Sequence, residues 1–320
     1  MLILLGSSVG AIASGDSDEQ SSSEKSPTAD LILIVGAPGT AEYDAQFRAW
    51  ADRWRTAAEE GDVEVHAATA AEDSDAVNDR SMVIQALEQA STETTRPLWL
   101  VLIGHGTFDG RTAKFNLRGP DISAEELAGA LASISRPLAV VICASGSGPF
   151  VGALSQEGRV VVTATDGAGE VNFSRFGDYL SRAIGDAGAD LDKDEQVSLT
   201  EAFRVASART DEFYEAEGRI VTEHALLDDN GDGQGTRAGD FDKGKAKDGR
   251  RADQWRLVLS EIELKLSPEA RAERDRLELE LFELRDRKST LAEEEYYAQL
   301  EALLVQIAEI YEAAGTLPAP

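Results

Sequence analysis

PLWLVLIGHG at positions 97–106 and PLAVVICASGS at positions 137–147 decide how this chain folds. Each is an unbroken apolar run, largely β-prone, that stops at a glycine-containing turn. Such runs read as strands buried on both faces, as in parallel sheets. In an open α/β sheet, reactive groups collect at the carboxyl ends of the strands. The single cysteine, Cys143, and one of three histidines, His105, therefore stand where chemistry is usually done. A histidine able to take a thiol's proton is the minimal nucleophile–base pair of a cysteine hydrolase. The adjacent glycines, Gly106 among them, admit a close substrate backbone and leave N–H groups free for an oxyanion.

Outward from these two runs, strands are expected at Leu31–Val35, Val63–His66 and Arg159–Ala164, and a short hairpin arm at Lys114–Arg118. Helices are expected over about 41–59, 78–90, 123–134, 173–184 and 199–215, the third opened by the capping-box pattern from Ser123 to Glu126. The alternation implies an α/β fold, a parallel sheet with crossover helices. Residues 1–29 read as a signal-like segment and polar linker, 30–227 as the main domain, 228–252 as an acidic, Gly-rich linker. Residues 253–320 read as a helical hairpin or short coiled coil: Leu277, Leu281 and Leu284 recur at helical spacing, then Leu300, Leu303, Leu304, Ile307 and Ile310. Its simplest role is packing or oligomerisation.

The 320 residues are 42% hydrophobic with a formal net charge of −28. Such acidity argues against nucleic acid and anionic membrane surfaces as partners. One cysteine excludes an intramolecular disulfide framework. Leu2–Ala13 is apolar and ends in a small-x-small pattern before Ser14, like the second half of a secretory signal, although a basic start is missing. A secreted or periplasmic protein is the expectation, with a merely apolar tail as the alternative. No other stretch is apolar and long enough for a membrane span.

His-Gly and Cys-x-Ser-Gly, each after a hydrophobic strand, resemble the caspase-like cysteine peptidases, and within them most of all the legumain family of asparaginyl endopeptidases. Cys143-Ala144-Ser145-Gly146-Ser147 is close to the legumain Cys-Glu-Ser-Gly-Ser, and Gly36, Gly39, Tyr43 and Gln46 resemble that family's first loop and helix. The likeness covers about residues 30–225. It implies a caspase-like three-layer sandwich with a mostly parallel six-stranded sheet, a protein or peptide substrate, Cys143 as nucleophile and His105 as base. Gly106 and Cys143 N–H groups would form the oxyanion hole. Thr165, Asp166 and Glu170, after the Arg159–Ala164 strand, would line the specificity pocket, or else form a solvated acidic loop. Two departures stand out: Ala144 replaces the family's Glu, and Asp44 replaces an Arg that reads the residue before the cut. With Asp44, Asp166 and Glu170 around the pocket, a basic residue before the scissile bond is the expectation. The bases of the 228–252 linker, Arg237, Lys243, Lys245, Lys247, Arg250 and Arg251, would then be sites of self-cleavage.

Calcium is the candidate cofactor. Asp190, Asp192, Asp194, Gln196, Ser198 and Glu201 fit a twelve-residue calcium loop, except that Glu195 stands where Gly is usual. Asp228, Asn230 and Asp232 begin a second such run, with Gly233 present but no Glu at the twelfth position. Both also read as plain acidic turns and helix caps. His66 reads as structural, and His224, beside the second acidic run, as a support for that run's ligands or as structural. Gly36-Ala-Pro-Gly39 is too short for a phosphate-binding loop, which weakens a nucleotide-binding reading. Two functional readings stand: a cysteine endopeptidase, or a non-catalytic caspase-like module for calcium-dependent binding or assembly through its tail.

Overall fold

The computed structural model describes residues 26–68, 78–91 and 96–316; the apolar signal-like run lies outside them. Six strands form the central sheet: β1 (Asp30–Val35), β2 (Glu64–Ala67), β3 (Leu98–Ile103), β7 (Leu138–Cys143), β8 (Arg159–Thr163) and β9 (Leu226–Asp228), in the order β2-β1-β3-β7-β8-β9. All neighbours are parallel except β9, which runs antiparallel to β8. The mostly parallel six-stranded α/β sheet expected from the sequence is thus present. Its sixth strand, however, comes from Leu226–Asp228 and was not foreseen. The expected hairpin arm lies instead in a separate antiparallel sheet of β4 (Gly106–Phe108), β5 (Ala113–Phe115) and β6 (Ile122–Ser123).

Residues alternate between the two faces of the central sheet, as the two-residue period of a strand requires. Leu31 and Leu33, Trp99 and Val101, Val141 and Cys143 face one core; Ile32 and Ile34, Leu100 and Leu102, Val140 and Ile142 face the other. The first core is covered by α1 (Ala41–Glu60), α5 (Phe176–Ala183) and α6 (Leu199–Ala216). The second is covered by α2 (Asp79–Ala90), α3 (Ala124–Leu131) and α4 (Pro149–Leu154). Aromatic mass fills the first: Phe47, Trp54, Trp99, Phe176 and Phe203 are each at most 1% exposed. Each such side chain contributes roughly 1.5–3 kcal/mol by leaving water. The helices start where their caps say: Thr40 Oγ1 accepts from Tyr43 N, and Ser123 with Glu126 and Ser198 with Glu201 form capping boxes.

Residues 228–252 are not a linker. Asp228, Asp229 and Asp248 are at most 5% exposed, because each carboxylate binds backbone N–H groups and so replaces water inside the fold. A short helix, α7 (Ala238–Asp242), forms within the segment. Beyond it Ala252, Trp255 and Leu257 belong to the first core, and Trp255 meets Trp99 edge-on at 5.1 Å. The main domain therefore continues past position 252, where the sequence suggested a boundary. The expected helical hairpin follows as α8 (Pro268–Asp286) and α9 (Glu293–Ala313). Arg274 near the start of α8 reaches Tyr311 near the end of α9, so the helices are antiparallel. Leu277, Leu281 and Leu284 are buried on α8, but Leu304 and Val305 of α9 remain exposed. The hairpin is tied to the domain by the Arg250–Asp286 ion pair and by Gln254 Nε2 donating to Asp275 O. No helix among the described residues is long and apolar enough to cross a membrane.

Candidate active site

Parallel pairing sets Ile103 opposite Cys143, so the turn carrying Gly104, His105 and Gly106 leaves β3 beside the last residue of β7. Gly104 N donates to Cys143 O at 3.3 Å. By strand parity both Cys143 and His105 face the α1 and α5 side. His105 packs edge-on against Tyr43 at 4.7 Å and Phe47 at 5.0 Å, both on α1. Its Nε2 lies 3.2 Å from Pro38 O. A carbonyl only accepts, so Nε2 carries the proton and Nδ1 keeps the lone pair. Partial burial holds the imidazole below its ordinary pKa, as a neutral base near pH 7.

Cys143 is placed at the strand end as expected, but its thiol is sealed in. The residue is 1% exposed. A side chain built on Gly177 of α5 would come within 2.6 Å of both the Cys143 Cβ and the Trp50 ring, so α5 lies directly over the cysteine. Burial pushes the thiol up to about 12. No hydrogen bond joins it to His105 among the described residues. The Gly106 N–H is also occupied: it donates to Ser145 Oγ at 3.4 Å, and Ser145 Oγ donates to Gly106 O at 3.2 Å. Gly106 has no room for a side chain against the Ser145 carbonyl, which accounts for glycine there.

The remaining pocket residues divide. Ala144 is 1% exposed and lies in the second core, turned away from any substrate. Thr165 is fully buried; its Oγ1 accepts from Ser147 N at 2.7 Å and Gly148 N at 3.1 Å, so it fixes the loop after Cys143 rather than touching substrate. Asp44 is half-buried on α1, and its carboxylate pairs with Arg48 at 2.8 Å, one helical turn on. Glu170 is spent on structure: its carboxylate accepts from Asp166 N at 3.0 Å and His224 N at 3.1 Å, and meets His224 Nδ1 at 2.5 Å. Asp166 meets the guanidinium of Arg237. Sequence reasoning missed Ser145, Glu223 and Arg237 in these roles. Glu223 caps α5 through Arg175 N and Phe176 N, and burial raises its pKa.

The two acidic loops share one hydrogen-bond ladder. In the first, Asp190 accepts from Lys193 N and Glu195 N, Asp192 from Asp194 N, and Asp194 from Gln196 N. In the second, Asp228 accepts from Gly231 N and Gly233 N, Asn230 from Asp232 N, and Asp232 from Gln234 N. Positions four and six are left-handed in both: Lys193 and Glu195 at φ of 66° and 69°, Gly231 and Gly233 at 80° and 74°. Glu195 thus adopts the turn that glycine makes freely, at a cost of roughly 1–2 kcal/mol. Glu201 closes the first loop by accepting from Leu191 N, Asp192 N and Ser198 N. Asp248 closes the second in the same way, accepting from Asp229 N, Asn230 N and Thr236 Oγ1. It supplies the acid the sequence lacked at the twelfth position, from a remote point that spacing rules do not reach. Carboxylate oxygens of Asp190, Asp192 and Asp194 lie within 4.8 Å of one another, near enough to share a hard cation. In two other groups, Asp30, Glu64 and His66, and Asp166, Glu170 and His224, carboxylate oxygens and a histidine ring nitrogen lie equally close.

Fold and site together define an α/β protein with a cysteine and a histidine at neighbouring strand ends. No protein-family model matches the sequence, and no curated protein matches it. Solved structures similar to the chain include caspases. Caspase-1 from Spodoptera frugiperda is 9% identical over 64% of this chain and 87% of that one, with a TM-score of 0.42. The Drosophila initiator caspase Dronc is 11% identical over 73% of this chain and 94% of that one, with a TM-score of 0.42.

Proposed function

We propose that the chain is a caspase-like cysteine endopeptidase, with Cys143 as nucleophile and His105 as general base. The observation that carries this reading is the Ile103–Cys143 register, which sets both side chains on one face at adjacent strand ends. His105 Nδ1 takes the thiol proton and the sulfur attacks the scissile carbonyl carbon, giving a tetrahedral oxyanion. Gly106 and Cys143 N–H groups receive that charge once Ser145 Oγ swings aside. The protonated imidazole returns its proton to the leaving amine, and water resolves the thioester. The described state is latent in this scheme: α5 must draw back from Cys143 before a substrate can reach it. Asp166 beside the loop supports a preference for Lys or Arg before the cut, while the Asp44 carboxylate is engaged by Arg48. The missing pocket Arg argues against the asparaginyl specificity of the legumains.

Calcium binding to the loops closed by Glu201 and Asp248 belongs to the same proposal, as does export. The rival reading, a non-catalytic calcium-dependent binding or assembly module, is favoured by the buried thiol and its raised pKa. Cleavage of a Lys- or Arg-containing peptide library decides between them. Cys143→Ala is expected to abolish turnover and His105→Ala to lower it about 10²–10⁴-fold, both variants staying folded. Undiminished turnover by Cys143→Ala excludes the peptidase.

A further inference from the structure

Arg237 occupies an unexpected place. We propose that it is an internal ligand of the loop after β8: its guanidinium fills the position of a basic ligand side chain and keeps Asp166 occupied until it withdraws. This rests on the peptidase reading for its biological meaning, but not for its test. Asp166 is rigidly presented. Its N–H donates to Glu170, whose carbonyl in turn accepts from Gly146 N at 2.8 Å. Gly148 lies against the Asp166 backbone with no space for a side chain between them. The Asp166 backbone is therefore locked to the loop that follows Cys143. Glu170 is held by His224 and by backbone N–H groups, whereas the Asp166 carboxylate meets the Arg237 guanidinium.

The base that answers it, Arg237, also lines a cleft of about 490 Å³, together with Ala164, Phe176, Glu223, His224 and Ala225 among others. The Arg237 backbone is held from both directions. Thr236 exchanges two backbone hydrogen bonds with Leu227, at 3.0 and 2.7 Å, and its hydroxyl donates to Asp248. On the other side the Arg237 carbonyl accepts from Asp240 N at 3.0 Å as α7 begins. That carbonyl is engaged and the backbone turns into a helix, so Arg237 is presented as a ligand and not as a scissile residue. The expectation of self-cleavage at this position gives way to occupancy. The side chain of Arg237 is 52% exposed, so the pair is weak enough to break. Tethering still gives it an effective concentration on the order of millimolar, which an incoming ligand must outcompete.

Benzamidine, an amidinium probe, tests this by calorimetry on the full chain without any need for catalysis. Arg237→Ala is expected to bind it at least about tenfold more tightly than the unaltered protein, since the competent fraction rises. Arg237→Gln serves if the alanine variant misfolds. Adding Asp166→Asn to either is expected to remove the gain. Equal binding by the unaltered protein and the Arg237 variants, or a gain that survives Asp166→Asn, overturns the proposal. If the benzamidine results hold but no variant cleaves any peptide, the occupancy stands and the peptidase reading falls. If Cys143-dependent cleavage is found but the Arg237 variants bind benzamidine no better, the occupancy alone falls.

Discussion

A thiol buried beneath α5 and pushed up to about 12 has a definite chemical signature. At pH 8 its thiolate fraction is smaller than that of an ordinary cysteine of pKa about 8.5 by a factor on the order of a thousand. Iodoacetamide is therefore expected to modify Cys143 at least a thousandfold more slowly in the folded chain than in urea. Rapid labelling of the folded chain at pH 8 would show that α5 does not seal it. The same burial sets a stability slope. The folded pKa lies above the unfolded one, so the thiol's contribution is full below about pH 8.5 and is lost as pH rises towards 12. Cys143→Ala should lack that loss. At this scale the sequence showed the positions but not the state. Cys143 and His105 were legible because two apolar strands end beside them. The seal was not, because Trp50 and Gly177 come from helices far away in sequence, and nothing local to Cys143 announces them. Asp44 was hard to read for a related reason: replacing a family's Arg says nothing about what the new side chain meets, and here Arg48 one turn on engages its carboxylate.

Among the elements, the two acidic loops make the sharpest claim. Two matched cradles, each closed by one carboxylate, should take up two calcium ions. Each ion that binds only the folded chain raises its stability by about 2.7 kcal/mol at a hundredfold excess over Kd, and the melting midpoint with it. Asp190→Asn and Asp248→Asn should each remove one of the two sites in calorimetry, Asp190→Asn the first and Asp248→Asn the second. No heat and no shift in melting at millimolar calcium would falsify the assignment. The first loop was legible because its ligand spacing is linear and its closing acid also caps α6. The closure of the second was not, since Asp248 returns from beyond α7 to the N–H groups of Asp229 and Asn230. The strand β9 was overlooked for its brevity, at three residues. An antiparallel edge strand of that length has too little alternation to stand out.

For the whole molecule, the domain boundary is the testable matter. Ending the chain at Glu261 removes α8 and α9 but keeps every residue of the two cores, so the shortened protein is expected to keep its sheet and a cooperative melt. Ending it at Ala252, the boundary that composition suggested, withdraws Trp255 and Leu257 and should leave a chain that does not melt cooperatively. A truncation at Ala252 with unchanged circular dichroism and melting would restore the linker. Composition misjudged this stretch because Gly, Asp and Lys are equally common in loose connections and in tight turns pinned by buried carboxylates. The edge-on contact of Trp99 with Trp255 has a kinetic consequence as well. The two indoles are separated by about 150 positions, a long-range closure that slows folding when it must precede stable packing. Until the later indole arrives, the layer holding Trp54 and Trp99 is open to water. Collapse of the strands and completion of the interior are thus separate events in time, and a rise in tryptophan burial lagging behind the far-ultraviolet signal on refolding would record the interval between them.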